Sequence, residues 1–278
     1  MQDYINYING DWEKSSKATV PLNDAGFLLG DGLFETIRFQ NRALFQIDKH
    51  LERMHASLNV IHIHLESSDS EIRELLTNII QKNELESGLL RLMITRGNVE
   101  GLPWKYTGSS SIYINIRPLS PEPPLPVNVI FYAESKYPII RYTPAIKSLN
   151  YMGNMLAKKD ADKDDAFEPV FYNGDGFITE CAIRNIFFIQ NKTLLTPSLE
   201  LGVLPGVMRT TIISIAKEIN LTNKEANIPI DSINEMDEAF ISSTGIGLLP
   251  CFWDGWQSDF TITSKLKKHL DRYINTAC

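Results

Sequence analysis

One stretch limits what this chain can fold into more than any other: "RPLSPEPPLPVNV", where five prolines fall between Arg117 and Val127 with a strand-like run on each side. Proline fixes its own φ and donates no backbone hydrogen bond, so a run this dense makes an extended, semi-rigid connector in place of a packed element. It divides the chain into residues 1–117, a linker at 118–126, and residues 127–278. A chain of 278 residues has room for two medium domains around such a break.

Both parts mix helix and strand patterns. Before the linker, "YINYING" and "GLFETIRFQNRALF" read as strands ending at turn residues, and "GLLRLMITRG" and "SSIYINIR" as two more. "IDKHLERMHASLNVI" and "SEIRELLTNIIQKN" carry apolar residues at helical spacing. After it, "VNVIFYA", "DAFEPVFYN" and "GFITECAIRNIFFIQ" read as strands, the last two joined by the "NGDG" turn at Asn173 to Gly176. One helix is expected after Lys147 and another from about Val207 to Ile219, entered through Pro205-Gly206. Strands and helices do not alternate strictly, so the class is α+β in both halves.

Charge and cysteine usage narrow the function. A formal charge of −7 argues against nucleic acid or an anionic membrane as the main partner, while leaving room for a small phosphate pocket. Cys181, Cys251 and Cys278 are too few and too scattered for a disulfide framework or a zinc site, which points to a reducing compartment. The first residues lack the basic start and apolar core of a secretory signal, and no apolar run is long enough to cross a bilayer; a cytoplasmic protein is expected. His62 and His64 would share one face of a strand, but no third ligand accompanies them, so no metal is expected. "STGIGLLP" has Pro250 where a dinucleotide fingerprint needs its third glycine.

Four features remain, each with an ordinary structural alternative. Lys147 has the apolar residues Ala145, Ile146 and Leu149 close by in "AIKSL", where a partly desolvated amine would be a nucleophile, yet lysines near helix starts are mostly solvated. Arg53 flanks the Leu51, Met54, Leu58 stripe of its helix, also the place for a solvated arginine. Glu180 lies in an apolar strand, where alternation could turn it outward. "LPGVMRTT" and "ISSTGIG" could be only a helix start and a turn. In combination they describe one ligand. Backbone N–H groups at the helix start, the hydroxyls of the Ser242–Gly245 turn and Arg53 would cup a phosphate. Glu180 would keep a pyridine nitrogen protonated and Lys147 would hold an aldehyde, which together are the requirements of pyridoxal 5′-phosphate.

"LGDGLFETIRF", "HLERMHASL", "IKSLNYMGNMLAKKDA", "GFITECAIRNIFF", "LPGVMRTTII" and "AFISSTGIGLLP" follow one another along nearly the whole chain. In that order they resemble the class IV aminotransferases, pyridoxal-phosphate enzymes of fold type IV. The resemblance implies a smaller N-terminal α/β domain and a larger C-terminal domain with a barrel-like sheet and helices, an active site between the two, and a homodimer. It makes Lys147 the catalytic lysine, Glu180 the partner of the pyridine nitrogen, and Arg53, Val207, Met208, Ser243 and Thr244 the phosphate ligands. Tyr151, four residues after the lysine, is where some members place an aromatic group near the cofactor's phenolic oxygen. Phe34 and Arg91 fall on the substrate side, Arg91 where branched-chain members keep an arginine, although a charge at a strand edge would look the same.

The implied reaction moves an amino group between an amino acid and a 2-keto acid by a ping-pong Schiff-base mechanism, of branched-chain or D-amino-acid type. The same lysine and cofactor serve the 4-amino-4-deoxychorismate lyases of this family, which release 4-aminobenzoate and pyruvate, and the motifs suit either branch. After "TRG" the chain reads "NVEGLPW", without the Arg-x-His pair of D-amino-acid transaminases or the glycine-and-arginine pattern of many lyases, and Phe34 stands where those transaminases have tyrosine. A third alternative is a non-catalytic relative that binds a phosphorylated ligand; it would be favoured if Lys147, Glu180 or Arg53 were replaced, and all three are present.

Overall fold

The computed structural model describes residues 2–105 and 108–276, so Cys278 lies outside the described residues. The chain divides into two units: Met1–Ser120 with Ile146–Asn150 and Ile274–Cys278, and Pro121–Ala145 with Tyr151–Tyr273. It is a mixed α and β fold.

The first unit contains β1 (Ile5–Ile8), β2 (Asp11–Lys14), α1 (Ala25–Leu29), β3 (Gly32–Gln40), β4 (Ala43–Leu44), α2 (Ile47–Val60), α3 (Asp69–Asn83), β5 (Gly88–Thr95) and β6 (Ser111–Arg117). Its sheet runs β2-β1-β6-β5-β3-β4, with every pair antiparallel. Period-two alternation puts Leu33, Ile37 and Phe39 of β3 on one face, where they pack with Leu51, Met54 and Leu58 of α2 and Ile72, Leu76, Ile79 and Ile80 of α3. Burying side chains of this size stabilises by roughly 1.5–3 kcal/mol each, and that is what fixes α2 against β3. A capping box starts α3: Glu71 N–H donates to Ser68 Oγ and Ser68 N–H to the Glu71 carboxylate.

The second unit contains β7 (Val127–Ala133), α4 (Met152–Lys163), β8 (Glu168–Tyr172), β9 (Ile178–Cys181), β10 (Asn185–Gln190), β11 (Thr193–Pro197), α5 (Val207–Glu218), β12 (Thr222–Ala226), β13 (Glu238–Ser243), β14 (Gly247–Phe252) and most of α6 (Thr261–Thr276). The eight-stranded sheet runs β12-β11-β10-β13-β14-β7-β8-β9. It curls, so that β9 at one end of the order approaches β10 and β11, the barrel-like form expected. Phe188, Val170, Ile178, Ile241, Leu249 and Trp253 fill its interior. The Asn173–Gly176 turn joins β8 to β9, with Gly176 in the left-handed region at φ +78°.

Three expectations are corrected. "GFITECAIRNIFFIQ" is two strands, β9 and β10, because buried Glu168 takes the Ile183 N–H and pairs with Arg184, pulling residues 182–184 out of the ladder. His62 and His64 lie in the irregular connection after α2, with His62 at φ +54°, so they share no strand face. Arg91 is on β5, an interior strand between β6 and β3, and not at a sheet edge. Among the described residues there is no helix long and apolar enough to cross a membrane, and no group of three or more His, Cys, Asp or Glu placed to hold a metal.

Candidate active site

In the first unit, residues 146–150 lie along the N-terminal part of β3, on the side that β4 reaches only at Phe39 and Gln40. Phe34 N–H donates to the Lys147 carbonyl (2.9 Å), Leu149 N–H donates to the Gly32 carbonyl (3.0 Å), and Leu33 faces Ser148 in an antiparallel bridge. Asn150 Nδ2 donates to the Gly30 carbonyl (3.1 Å). Two glycines permit this approach: Gly30 is at φ +67° and a Cβ there would meet Asn150 Oδ1 at 2.4 Å, while one on Gly32 would meet Leu149 Cδ1 at 2.9 Å as well as the Ile94 carbonyl of β5 at 2.5 Å. These two are the glycines of "LGDGLF".

Bridge pairing sets which side each residue faces. Ser148 shares the face of Leu33, the one covered by α2 and α3, and Lys147 falls on the opposite face with Phe34. Lys147 is half-buried, with Nζ 4.4 Å from the centre of the Phe34 ring, and the Arg91 guanidinium lies 3.9 Å from the same ring. Three of the expected residues, Lys147, Phe34 and Arg91, are therefore together.

Arg53 has a partner the sequence reading did not find. Glu35, on the helix-covered face of β3, accepts from Arg53 Nε (2.8 Å) and Nη2 (2.5 Å), and its second oxygen also meets His50 Nδ1 at 2.7 Å. Glu35 and His50 are fully buried. Burial alone would raise the Glu35 carboxyl, but Arg53 and then His50 outweigh it and hold the group at about 2. Burial pushes His50 below its ordinary value; Glu35 opposes this, and the charges of Arg53 and Lys147 add to it. A neutral His50 facing a carboxylate donates from Nδ1, which leaves Nε2 as a lone-pair nitrogen. That atom is buried with no hydrogen-bond partner among the described residues.

The second unit gathers the others. Arg141 joins Glu180 to Glu134: one terminal nitrogen is on Glu180, the other pairs with Glu134 and with Thr179 Oγ1 (3.1 Å), and Nε reaches Glu134 at 3.1 Å. Thr179 Oγ1 also donates to Glu134 at 2.6 Å. Burial disfavours the Arg141 charge, but Glu180 and Glu134 outweigh it and raise its pKa further. Glu180 is therefore turned to a partner and not into bulk solvent.

At the start of α5, Gly206 occupies the cap position and no side chain caps the helix. Thr210 N–H makes the first intrahelical bond, to the Gly206 carbonyl, so the amides of Val207 and Met208 precede the ladder, as an anion site requires. Asn185 ties this terminus to the hydroxyl turn. Its Nδ2 donates to the Ser242 carbonyl (3.0 Å) and Oγ (3.1 Å), and a Cβ on Gly206 would meet its Oδ1 at 2.4 Å. Ser243 ends β13 and Thr244 opens the turn that follows. Tyr151 holds the residue before α4.

Glu35, His50, Arg141, Glu134 and Asn185 were not anticipated. One signal was available: Glu35 shares the strand parity of Leu33, Ile37 and Phe39, so it had to be buried and therefore paired.

A sequence profile described as amino-transferase class IV matches residues 32–251. The chain is 31% identical to a D-alanine aminotransferase of Listeria monocytogenes serotype 1/2a (strain 10403S), over 98% of this chain and 96% of that protein. It is 32% identical to an aminodeoxychorismate lyase of Bacillus subtilis (strain 168), over 88% and 84%. Its fold is similar to that of a branched-chain aminotransferase from Thermoproteus uzoniensis solved with norvaline, with a TM-score of 0.90, 22% identity, and coverage of 99% of this chain and 96% of that one.

Proposed function

Because this chain belongs to the class IV aminotransferases, enzymes that use pyridoxal phosphate, we propose that Lys147 is its catalytic amine and that it transfers an amino group between a small amino acid and a 2-keto acid. The observation that carries this is the placement of Lys147, whose backbone is bonded to β3 and whose amine is held over the Phe34 ring on the face opposite α2 and α3. A lysine kept only for solubility needs no such fixation.

Each unit carries donors of the kind this cofactor needs. Bound pyridoxal phosphate supplies an electron sink for the pair released when a bond to the substrate's α-carbon breaks. Lys147 would hold the cofactor through its aldehyde and, once its amine is free, would serve as the base for the substrate's α-proton. Glu180, paired with Arg141, would hold a proton on the pyridine nitrogen. The amides of Val207 and Met208 and the hydroxyls of Ser243 and Thr244 receive the phosphate, with Arg53 as its cation. Tyr151 accompanies the phenolic oxygen, and Phe34 and Arg91 meet the substrate.

The similarity to an aminodeoxychorismate lyase supports a second reading, elimination of pyruvate to leave 4-aminobenzoate. One assay separates the two. The protein is incubated with L- and D-amino acids plus 2-oxoglutarate, and separately with aminodeoxychorismate and no amino acceptor. Glutamate and a new keto acid support transfer; 4-aminobenzoate formed without an acceptor supports the lyase and defeats the transferase. Borohydride should fix the cofactor on Lys147, and a protein that takes up no cofactor ends both readings.

A homodimer in the cytoplasm accompanies this proposal. Phe27, Leu28 and Leu29 are consecutive and more than half exposed, and Trp104 is 77% exposed, apolar side chains that a second copy could cover. Buried, unpaired Cys181 and Cys251 suit a reducing compartment. Light scattering that gives a monomer mass would defeat the dimer.

A further inference from the structure

Arg53 is a long side chain on α2, and its side chain is 10% exposed. An arginine free to rotate gives up rotamer freedom when it closes on an anion, and one already fixed gives up little. Glu35 supplies the fixation by engaging two of the three guanidinium nitrogens, Nε and Nη2, in a planar fork. His50 in turn fixes Glu35, because the Nδ1 contact at 2.7 Å holds the carboxylate oxygen shared with Arg53 Nη2. The order of dependence is His50 on Glu35, and Glu35 on Arg53. Glu35 and His50 lie on the helix-covered face of β3, while Lys147 and Phe34 lie on the other, so neither is placed to touch the reacting atoms.

We propose that Glu35 and His50 are positioning residues that hold the Arg53 guanidinium ready for the cofactor's phosphate, and that this grip depends on the Nδ1–carboxylate contact between them. The proposal rests on the pyridoxal-phosphate reading and on Arg53 as a phosphate ligand. Simple charge summation gives the opposite expectation: removing the negative charge beside Arg53 would strengthen its attraction for a phosphate. Pre-organisation and net charge therefore differ in sign, and a binding measurement decides between them.

The test titrates cofactor-free protein with pyridoxal 5′-phosphate and, in parallel, with pyridoxal, which has the aldehyde and ring but no phosphate. Glu35→Gln should raise the dissociation constant for pyridoxal phosphate by about tenfold and leave that for pyridoxal near wild type. Unchanged or tighter binding of pyridoxal phosphate, or equal weakening of both ligands, overturns the proposal. Two His50 variants keep the test decisive if Glu35→Gln does not fold. His50→Asn places an amide N–H near the Nδ1 position and should retain the affinity; His50→Leu fills the volume without a donor and should lose it. A merely structural role predicts the reverse order or no difference, and either result overturns the proposal. Uptake of pyridoxal phosphate by the wild type with no effect of Arg53→Ala would remove the phosphate role of Arg53, and this proposal with it. Failure of Glu35→Gln alone, with wild type and Arg53→Ala behaving as expected, removes only the positioning role.

Discussion

Glu35 and Glu180 are both carboxylates paired with an arginine, in different settings. Glu35 is fully buried, takes two guanidinium nitrogens and a histidine, and is backed by the α2 and α3 core. Glu180 has a side chain 18% exposed, shares Arg141 with Glu134 and Thr179, and lies on the short strand β9. Deep burial makes the first pair dependent on good geometry, since either charge left alone would be desolvated without compensation. Partial exposure leaves the second group room for a ligand. In the proposed site one carboxylate would hold its neighbours and the other would meet the cofactor.

Lys147→Ala should cost most and gives the reference for the rest: turnover should fall by about 10³-fold or more, because the proposed function gives one amine both the covalent and the proton-transfer role. Residual turnover within tenfold of wild type, measured in steady-state assays, would remove Lys147 from the chemistry. Next, Glu180→Gln should reduce turnover by about 10²–10³-fold while moving the melting temperature little. Glu35→Ala should do the converse in the melting experiment, losing about 3–5 kcal/mol of stability from the broken buried pair. If the two variants exchanged these signatures, the contrast drawn above would be wrong.

Acid sharpens the same contrast. Glu35 is held at about 2 against an ordinary 4.5, so its contribution to stability is complete above 4.5 and is lost as the pH falls towards 2. His50, held below 6.5, acts in the same direction: the unfolded chain takes up protons first as the pH drops below that value. Urea midpoints between pH 4.5 and 2 should therefore fall steeply in wild type and more gently in Glu35→Gln; parallel curves would contradict the linkage. The smallest effect is expected from Gly206→Ala, where the new Cβ would press on Asn185 Oδ1 and cost about 1–3 kcal/mol. It should weaken cofactor retention without changing Glu180 or its partners.

Local pattern made part of this fold readable. The Leu51, Met54, Leu58 stripe announces α2, and the alternation in "GLLRLMIT" announces β5, because neighbours along the chain determine both. What stayed hidden depends on distant partners. β13 and β14 sit in "AFISSTGIGLLP", where the hydroxyls and glycines dominate the pattern and draw attention to the turn between them. Lys147, Arg53 and Glu180 stood out by residue type. Their partners Glu35, His50 and Arg141 did not, since those pairings come from tertiary packing; only the parity of Glu35 with Leu33 and Ile37 offered a local clue. The C-terminal helix α6 went unread although Leu266, Leu270 and Ile274 recur every four residues.

The short bridge of residues 146–150 to β3 also sets an order of events during folding. Asn150 and Gly30 are 120 residues apart in sequence, so the contact that seats the amine closes a very large loop. A chain emerging from the ribosome can complete the antiparallel sheet of its first unit well before residue 147 is available to dock. Lys147 thus docks onto a sheet whose strands all precede it in the chain, and a polypeptide ending before residue 146 would present that sheet without this amine.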